Sequence, residues 1–420
     1  MHSSLFGNDF KWGASASAFQ TEGAFETDGK GLSIWDVFCK KNGKIFNNHN
    51  ANESCDFYNR YQHDIILLDF LGLKNFRFSL SWSRLFAEGI GSVNEKGFDF
   101  YNRLIDFCLE MQIDPWVTLY HWDLPQKLEE KGGWTNRDIL FWFEEFTHIC
   151  IAKFGDRVKN WIILNEPMVF TGAGYFLGIH APGKKGLNNF LAAAHHTAMC
   201  QALGARVAKS LRNDLNIGTT FSYSYIEPVN QQPENMEAAE RVDVLTNRMF
   251  LEPLLGMGYP GSELSILKQI EKYMLPNDEK DLQCNMDFIG VQNYTREIVA
   301  HSSYMPYVNA KIIKAEKRDV QTTSMNWEVY PQGIYHALKR IASYTQVKNI
   351  IVTENGASFD DTLINGKVAD PKRISFLNDY LKMILRAKKE GVPVSGYFIW
   401  SLTDNFEWAE GYNSTDTTSG

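Results

Sequence analysis

Two glutamates in this chain close apolar runs, where a carboxylate is costly. The first is Glu166, at the end of VKNWIILNEP (158–167), and the second is Glu354, in NIIVTENG (349–356). Burying an unpaired carboxylate costs roughly several kcal/mol, so each must leave the core at its strand end or be held by a partner. A lone glutamate of this kind is usually just a solvated strand end. Two at equivalent strand ends can instead face each other over a pocket, one protonated and the other ionised. Such a pair can cleave an acetal. Carboxyl groups about 5–5.5 Å apart suit retention, and groups about 6.5–9.5 Å apart leave room for a water and inversion.

Other chemistries lack their residues. His121 has no HxH or HExxH partner, and the adjacent His195 and His196 point to different sides of a helix, which suits packing or surface. No GxGxxG lies at a strand–helix turn, and no GxSxG elbow is present. A Schiff-base aldolase needs a strand-end lysine, and none of the candidate strands has one.

The elements that must position the pair alternate along the chain. Strands are expected at FKWGASAS (10–17), NFRFSLSW (75–82), PWVTLYHW (115–122), VKNWIILNE (158–166), NIGTTFSYSY (216–225), DFIGVQNY (287–294), NIIVTENG (349–356) and VSGYFIWSL (394–402). Between them run amphipathic stretches such as YNRYQHDIILLDFLG and FLAAAHHTAMCQALGARVAKSL. RISFLNDYLKMILRAKKEG ends in cations and Gly391, a helix C-terminal pattern. Eight strands alternating with helices predict an α/β fold, a (β/α)8 TIM barrel in one domain over residues 1–413 with a polar tail at 414–420.

In that fold chemistry sits at the carboxyl ends of the strands. The ends here are polar or aromatic: Gln20 just past the first, Arg77 in the second, His121 and Trp122 closing the third. Asn165 and Glu166 close the fourth, Tyr294 the sixth, Glu354 and Asn355 the seventh, and Trp400 the eighth. Their convergence on one barrel mouth predicts a site.

Composition limits the partners. A net charge of −8 without a cluster of Lys and Arg argues against nucleic acid and anionic membrane. No apolar stretch approaches the ~20 residues of a membrane span. MHSSLFGNDFKWG lacks the regions of a signal peptide. The six cysteines, Cys39, Cys55, Cys108, Cys150, Cys200 and Cys284, have no CxxC spacing, so a reducing cytoplasm is expected rather than a disulfide framework or zinc site.

TLYHWDLPQ, LNEP, VTENG, RFSLSWSR and SLTDNFEW together resemble glycoside hydrolase family 1, the β-glucosidase family. The resemblance runs from FKWGASASAFQTEG to FEWAEGYN. It implies a retaining O-glycosyl hydrolase, without metal or cofactor, acting on terminal non-reducing β-D-glycosyl residues of small glycosides or oligosaccharides. Glu166 would be the acid/base and Glu354 the nucleophile, with Arg77 and Tyr294 as its cationic and hydrogen-bond support. Gln20, His121, Trp122, Asn165, Glu407 and Trp408 match the family's hydroxyl-binding positions. Trp400 matches the ring beneath the sugar, and Trp327 an aromatic at the entrance where the leaving group sits. Glu407 followed by Trp408 resembles the members that take unphosphorylated sugars.

Two departures stand out. Where the family commonly reads N-Y-Y after strand six, this chain reads VQNYTRE, so Gln292 replaces the usual Asn. After EGYN the family continues into a basic-aromatic segment and a last barrel helix, whereas this sequence continues STDTTSG. The expectation is therefore a barrel whose last helix is absent, less stable and less active than a form carrying it. The alternatives to an active enzyme are an impaired truncated form and a carbohydrate- or protein-binding pseudoenzyme. Family pseudoenzymes have lost a carboxylate, and here both are kept.

Overall fold

Eight strands with helices on one face and packed side chains on the other are expected to be largely buried on both. In the computed structural model, which describes residues 2–361 and 363–412, they are β1 (Lys11–Ser15), β2 (Asn75–Ser79), β3 (Asp114–Tyr120), β4 (Asn160–Asn165), β5 (Asn216–Ser222), β6 (Phe288–Gln292), β7 (Ile350–Glu354) and β8 (Val394–Trp400). They pair in parallel and in sequence order, and β8 closes on β1 through Lys11↔Gly396 to Ser15↔Trp400. The expected (β/α)8 barrel is formed. Each expected strand is present, ending one to three residues earlier than the sequence places it.

The barrel's interior is filled near its base by Trp116, Ile162, Phe288, Ile351 and Phe398. Rings this large fit because the facing positions are small. A Cβ on Gly218 would lie 2.5 Å from the Phe288 ring, and one on Gly13 2.6 Å from Phe398. Higher up, the interior changes from apolar to polar at Arg77, Thr118, Asn165, Thr220, Gln292 and Glu354, all buried.

Outside the sheet run helices Phe57–Phe70, Glu95–Glu110, Ile139–Phe154, Leu187–Leu211, Gln332–Ala342 and Pro371–Lys389. The last ends where expected, with Gly391 at φ +90°. His195 and His196 are both buried rather than at the surface. His195 meets Asp278 at 2.8 Å, and His196 donates to the Trp134 carbonyl at 2.9 Å, so they are packing residues. A small sheet of Tyr225–Pro228, Arg296–His301 and Ala310–Ile312 stands beside the barrel mouth. Among the described residues no helix is long and apolar enough to cross a membrane. After β8 the described residues run to 412 and hold a short 3-10 turn, Trp408–Glu410; the expected polar tail falls outside them.

Candidate active site

Glu166 leaves β4 through a turn that aims it at the barrel axis. Its backbone is left-handed, at φ 46° and ψ 65°, and its N–H donates to the Thr220 carbonyl at 3.0 Å. Pro167 then opens helix Pro167–Thr171, a first-turn position that needs no N–H. Holding a non-glycine residue left-handed costs on the order of 1–3 kcal/mol, and such strain gathers where a side chain must be aimed.

Across the mouth, Glu354 ends β7 within a set of donors. Arg77 forms a buried ion pair with Oε1, the Gln292 amide donates to the same oxygen at 2.6 Å, and the Tyr294 hydroxyl donates to Oε2 at 2.6 Å. Arg77 also donates to Asn165 Oδ1 at 2.5 Å. That oxygen accepts from Thr220 and Gln292 as well, so the Asn165 amide N–H faces His121 Nε2, 3.0 Å away. His121 is therefore a neutral ring protonated on Nδ1. Burial, then the Arg77 charge, hold its pKa well below the ordinary value.

The two carboxyl groups have different surroundings. Burial raises both. For Glu354, Arg77 and the Tyr294 hydroxyl pull the pKa back down. For Glu166, the Glu354 charge adds to the burial, and Arg77 only partly offsets them, so its pKa stands well above the ordinary value. Glu354 thus ionises first, and its charge keeps the proton on Glu166.

Both glutamates line a cavity of about 280 Å³. Of the residues singled out from the sequence, Gln20, His121, Trp122, Tyr294, Trp327, Trp400, Glu407 and Trp408 also line it. Arg77 and Asn165 stand behind it, fully buried. Gln20 ties the β1 end to the loop after β8, donating to Asn405 Oδ1 and the Phe406 carbonyl, each at 3.0 Å, and to Glu407 at 3.3 Å. Trp408 packs on Trp122 with ring centroids 4.5 Å apart. Trp122 donates its indole N–H to the Asn165 carbonyl at 2.9 Å. Trp327 is 37% exposed at the rim, 5.4 Å from the Tyr294 ring.

Sequence reasoning missed several members. Ser222, His180, Val169 and Met325 also line the cavity; Ser222 ends β5, Val169 lies in the short helix after Glu166, and His180 and Met325 are on loops, where no local pattern marks them. Glu328 is another. It accepts from Arg296 at 2.8 and 2.9 Å and from Arg318 at 2.6 Å, pinning the loop that carries Trp327. The chain VTENG gives a further signal at Gly356, where a Cβ would lie 2.0 Å from the Trp400 carbonyl oxygen. Gly356→Ala should therefore push the β7 and β8 ends apart, costing about 1–3 kcal/mol of stability. Moving Glu354 with them should cut kcat by roughly 10²-fold. Thermal unfolding and steady-state kinetics of the variant measure both, and unchanged values would mean that the two ends move independently.

The architecture has close counterparts. Beta-glucosidase A of Acetivibrio thermocellus is 42% identical over 416 residues, spanning 97% of this chain and 92% of its own. Beta-glucosidase A of Thermotoga maritima is 40% identical over 415 residues, spanning 98% and 92%. The solved family 1 β-glucosidase from Thermotoga maritima superposes with a TM-score of 0.93 at 39% identity, over 98% of this chain and 92% of that one. Residues 2–415 match the profile of glycosyl hydrolase family 1. A match that spans the whole barrel, and relatives this similar over nearly their full length, make the chain a member of glycosyl hydrolase family 1, a hydrolase of O-glycosyl bonds.

Proposed function

We propose that this chain is a retaining β-glucosidase that removes terminal non-reducing β-D-glucosyl residues from small glycosides or oligosaccharides. The observation that carries the reading is the asymmetric pair: Glu354 is held by Arg77, Gln292 and Tyr294, and Glu166 is buried opposite with its pKa raised. Glu354 attacks the anomeric carbon while Glu166 protonates the departing oxygen. The glycosyl ester that results carries no charge on Glu354, so the pKa of Glu166 falls and it becomes the base for the hydrolytic water. Tyr294 keeps its own proton through the cycle, since burial and then the Glu354 charge raise its pKa well above the ordinary value.

Gln20, His121 and Glu407 supply polar contacts for the sugar hydroxyls, with Asn165 behind the cavity orienting His121; Trp122, Trp400 and Trp408 supply its apolar walls, and Trp327 the leaving-group side. The relatives' printed names support the glucosyl preference. Glu407 at the cavity wall favours an unphosphorylated sugar, because a phosphate dianion beside it would be repelled. All six cysteines are free, and Cys39, Cys108, Cys150 and Cys200 are buried, which supports a reducing compartment such as the cytoplasm.

The test is proton NMR of purified protein with an aryl β-glucoside and, in parallel, its 6-phosphate. The expected result is β-glucose as the first-formed sugar, appearing faster from the unphosphorylated substrate. α-Glucose formed first would overturn retention, and faster release from the 6-phosphate would overturn the role of Glu407.

A further inference from the structure

We infer that Gln292 is a positioning residue of the reaction: it holds one oxygen of Glu354 throughout the cycle and thereby selects the other as the one that attacks. The inference rests on Glu354 being the nucleophile.

Gln292 ends β6, paired with Glu354 on β7 and with Ser222 on β5. It is fully buried and lies behind the residues that line the cavity, so it acts on the sugar only through its neighbours. Its amide nitrogen donates to Glu354 Oε1 at 2.6 Å and to Asn165 Oδ1 at 2.7 Å. The reverse amide orientation would set an oxygen against a carboxylate and against an Asn165 oxygen that already accepts from Arg77 and Thr220. The neighbours therefore fix the orientation, both N–H groups are engaged, and Gln292 Oε1 is left buried without a protein partner. An unpaired buried carbonyl is a cost in stability, and it is incurred here to aim two N–H groups.

With Arg77 the contacts close a ring. Arg77 bridges Glu354 and Asn165, and Gln292 bridges the same two atoms from β6. Glu354 Oε1 thus has two donors, one cationic and one neutral. Among the described residues Oε2 has the Tyr294 hydroxyl alone, from a residue that lines the cavity. A lone pair of Oε2 forms the bond to the anomeric carbon. The glycosidic bond breaks with its electron pair on the leaving oxygen, which takes the proton of Glu166. Oε1 becomes the ester carbonyl oxygen, still held by Arg77 and Gln292. In the second half Glu166 takes a proton from the attacking water, and the electron pair of the anomeric carbon–Oε2 bond returns to the carboxylate. A neutral amide suits the position, because it stabilises the carboxylate without adding positive charge beside the oxocarbenium-like transition state.

The test compares wild type, Gln292→Met, which is similar in size and lacks the donor, and Gln292→Asn, which restores an amide. An aryl β-glucoside and the trapping reagent 2-deoxy-2-fluoro-β-glucosyl fluoride are the probes. Loss of one hydrogen bond to a charged group should lower kcat of Gln292→Met by about 10–100-fold. KM should change little. Losing a donor to the ionised form should move the acid limb of kcat/KM upward by about one pH unit. Trapping, followed by intact-protein mass, should slow by a similar factor, and Gln292→Asn should recover much of each loss. If Gln292→Met does not fold, Gln292→Ala takes its place with the same readouts. An unmoved acid limb with equal trapping rates overturns this inference alone, as does a loss that follows the thermal midpoint in Met and Asn variants alike. A wild-type protein whose trapped adduct is not on Glu354 overturns the nucleophile assignment and this inference with it.

Discussion

Replacing Glu354 with Gln lowers kcat/KM for an aryl β-glucoside by on the order of 10⁵-fold, about 7 kcal/mol of transition-state stabilisation. The amide has no lone pair basic enough to form the glycosyl ester, and the remaining groups can only orient the substrate. The fold should survive. The amide oxygen still accepts from Arg77 and Gln292, and its nitrogen can donate to the Tyr294 oxygen, which now points its lone pair inward. The buried charge of Glu354 is also removed. The same substitution therefore lowers the pKa of Glu166, because the Glu354 charge is one of the causes that raise it, second to burial. Steady-state kinetics, a thermal midpoint and carboxyl-carbon NMR of Glu166 check the three parts. Turnover within tenfold of wild type would mean that some other group forms the covalent bond.

How much of this was legible in the sequence depends on the kind of constraint. Glu166 and Glu354 stand out because a carboxylate closing an apolar run conflicts with local chemistry, and such conflicts mark functional sites. Arg77 is legible for the same reason: it is a charge inside RFSLSW, and it is fully buried. The barrel is legible because strands buried on both faces are continuous apolar runs. Strand ends are less so: the apolar run places Tyr294 at the end of β6, yet the pairing stops at Gln292. The small sheet of Tyr225–Pro228, Arg296–His301 and Ala310–Ile312 was not foreseen, since its strands are short, partly exposed and without a clean period. The contact of Gln292 with Glu354 depends on a register shift between Val352 and Glu354 against β6, which no local pattern carries. His180 is invisible for another reason. It follows a helix end and reaches the cavity by packing on Trp35 and Trp122, contacts made only in the folded chain.

Glu166→Ala separates substrates by their leaving groups. An alkyl or sugar alcohol departs only if it is protonated, so its release should slow by about 10³–10⁴-fold, near the upper range for general acid catalysis. A dinitrophenolate leaves without a proton, and formation of the glycosyl-enzyme from that substrate should slow less than about tenfold. The second step still needs Glu166 as a base for water, so the ester accumulates and kcat with the activated substrate becomes limited by its hydrolysis. Azide needs no base. A small anion can occupy the space vacated by the carboxyl, attack on the face from which the leaving group departed, and give β-glucosyl azide with kcat restored. The pH profile follows with a definite sign. Wild-type kcat/KM requires Glu166 protonated, and its pKa is raised by burial and by the charge of Glu354, so activity falls on the alkaline side as pH rises through that pKa. With alanine in place that alkaline limb should vanish for the activated substrate, while the acid limb set by Glu354 stays. Stopped-flow and steady-state kinetics across a leaving-group series, with and without azide, make the measurement. Equal slowing for all leaving groups, or an alkaline limb that survives the substitution, would assign the proton to a different residue and leave Glu166 as a charge that merely shapes the pocket.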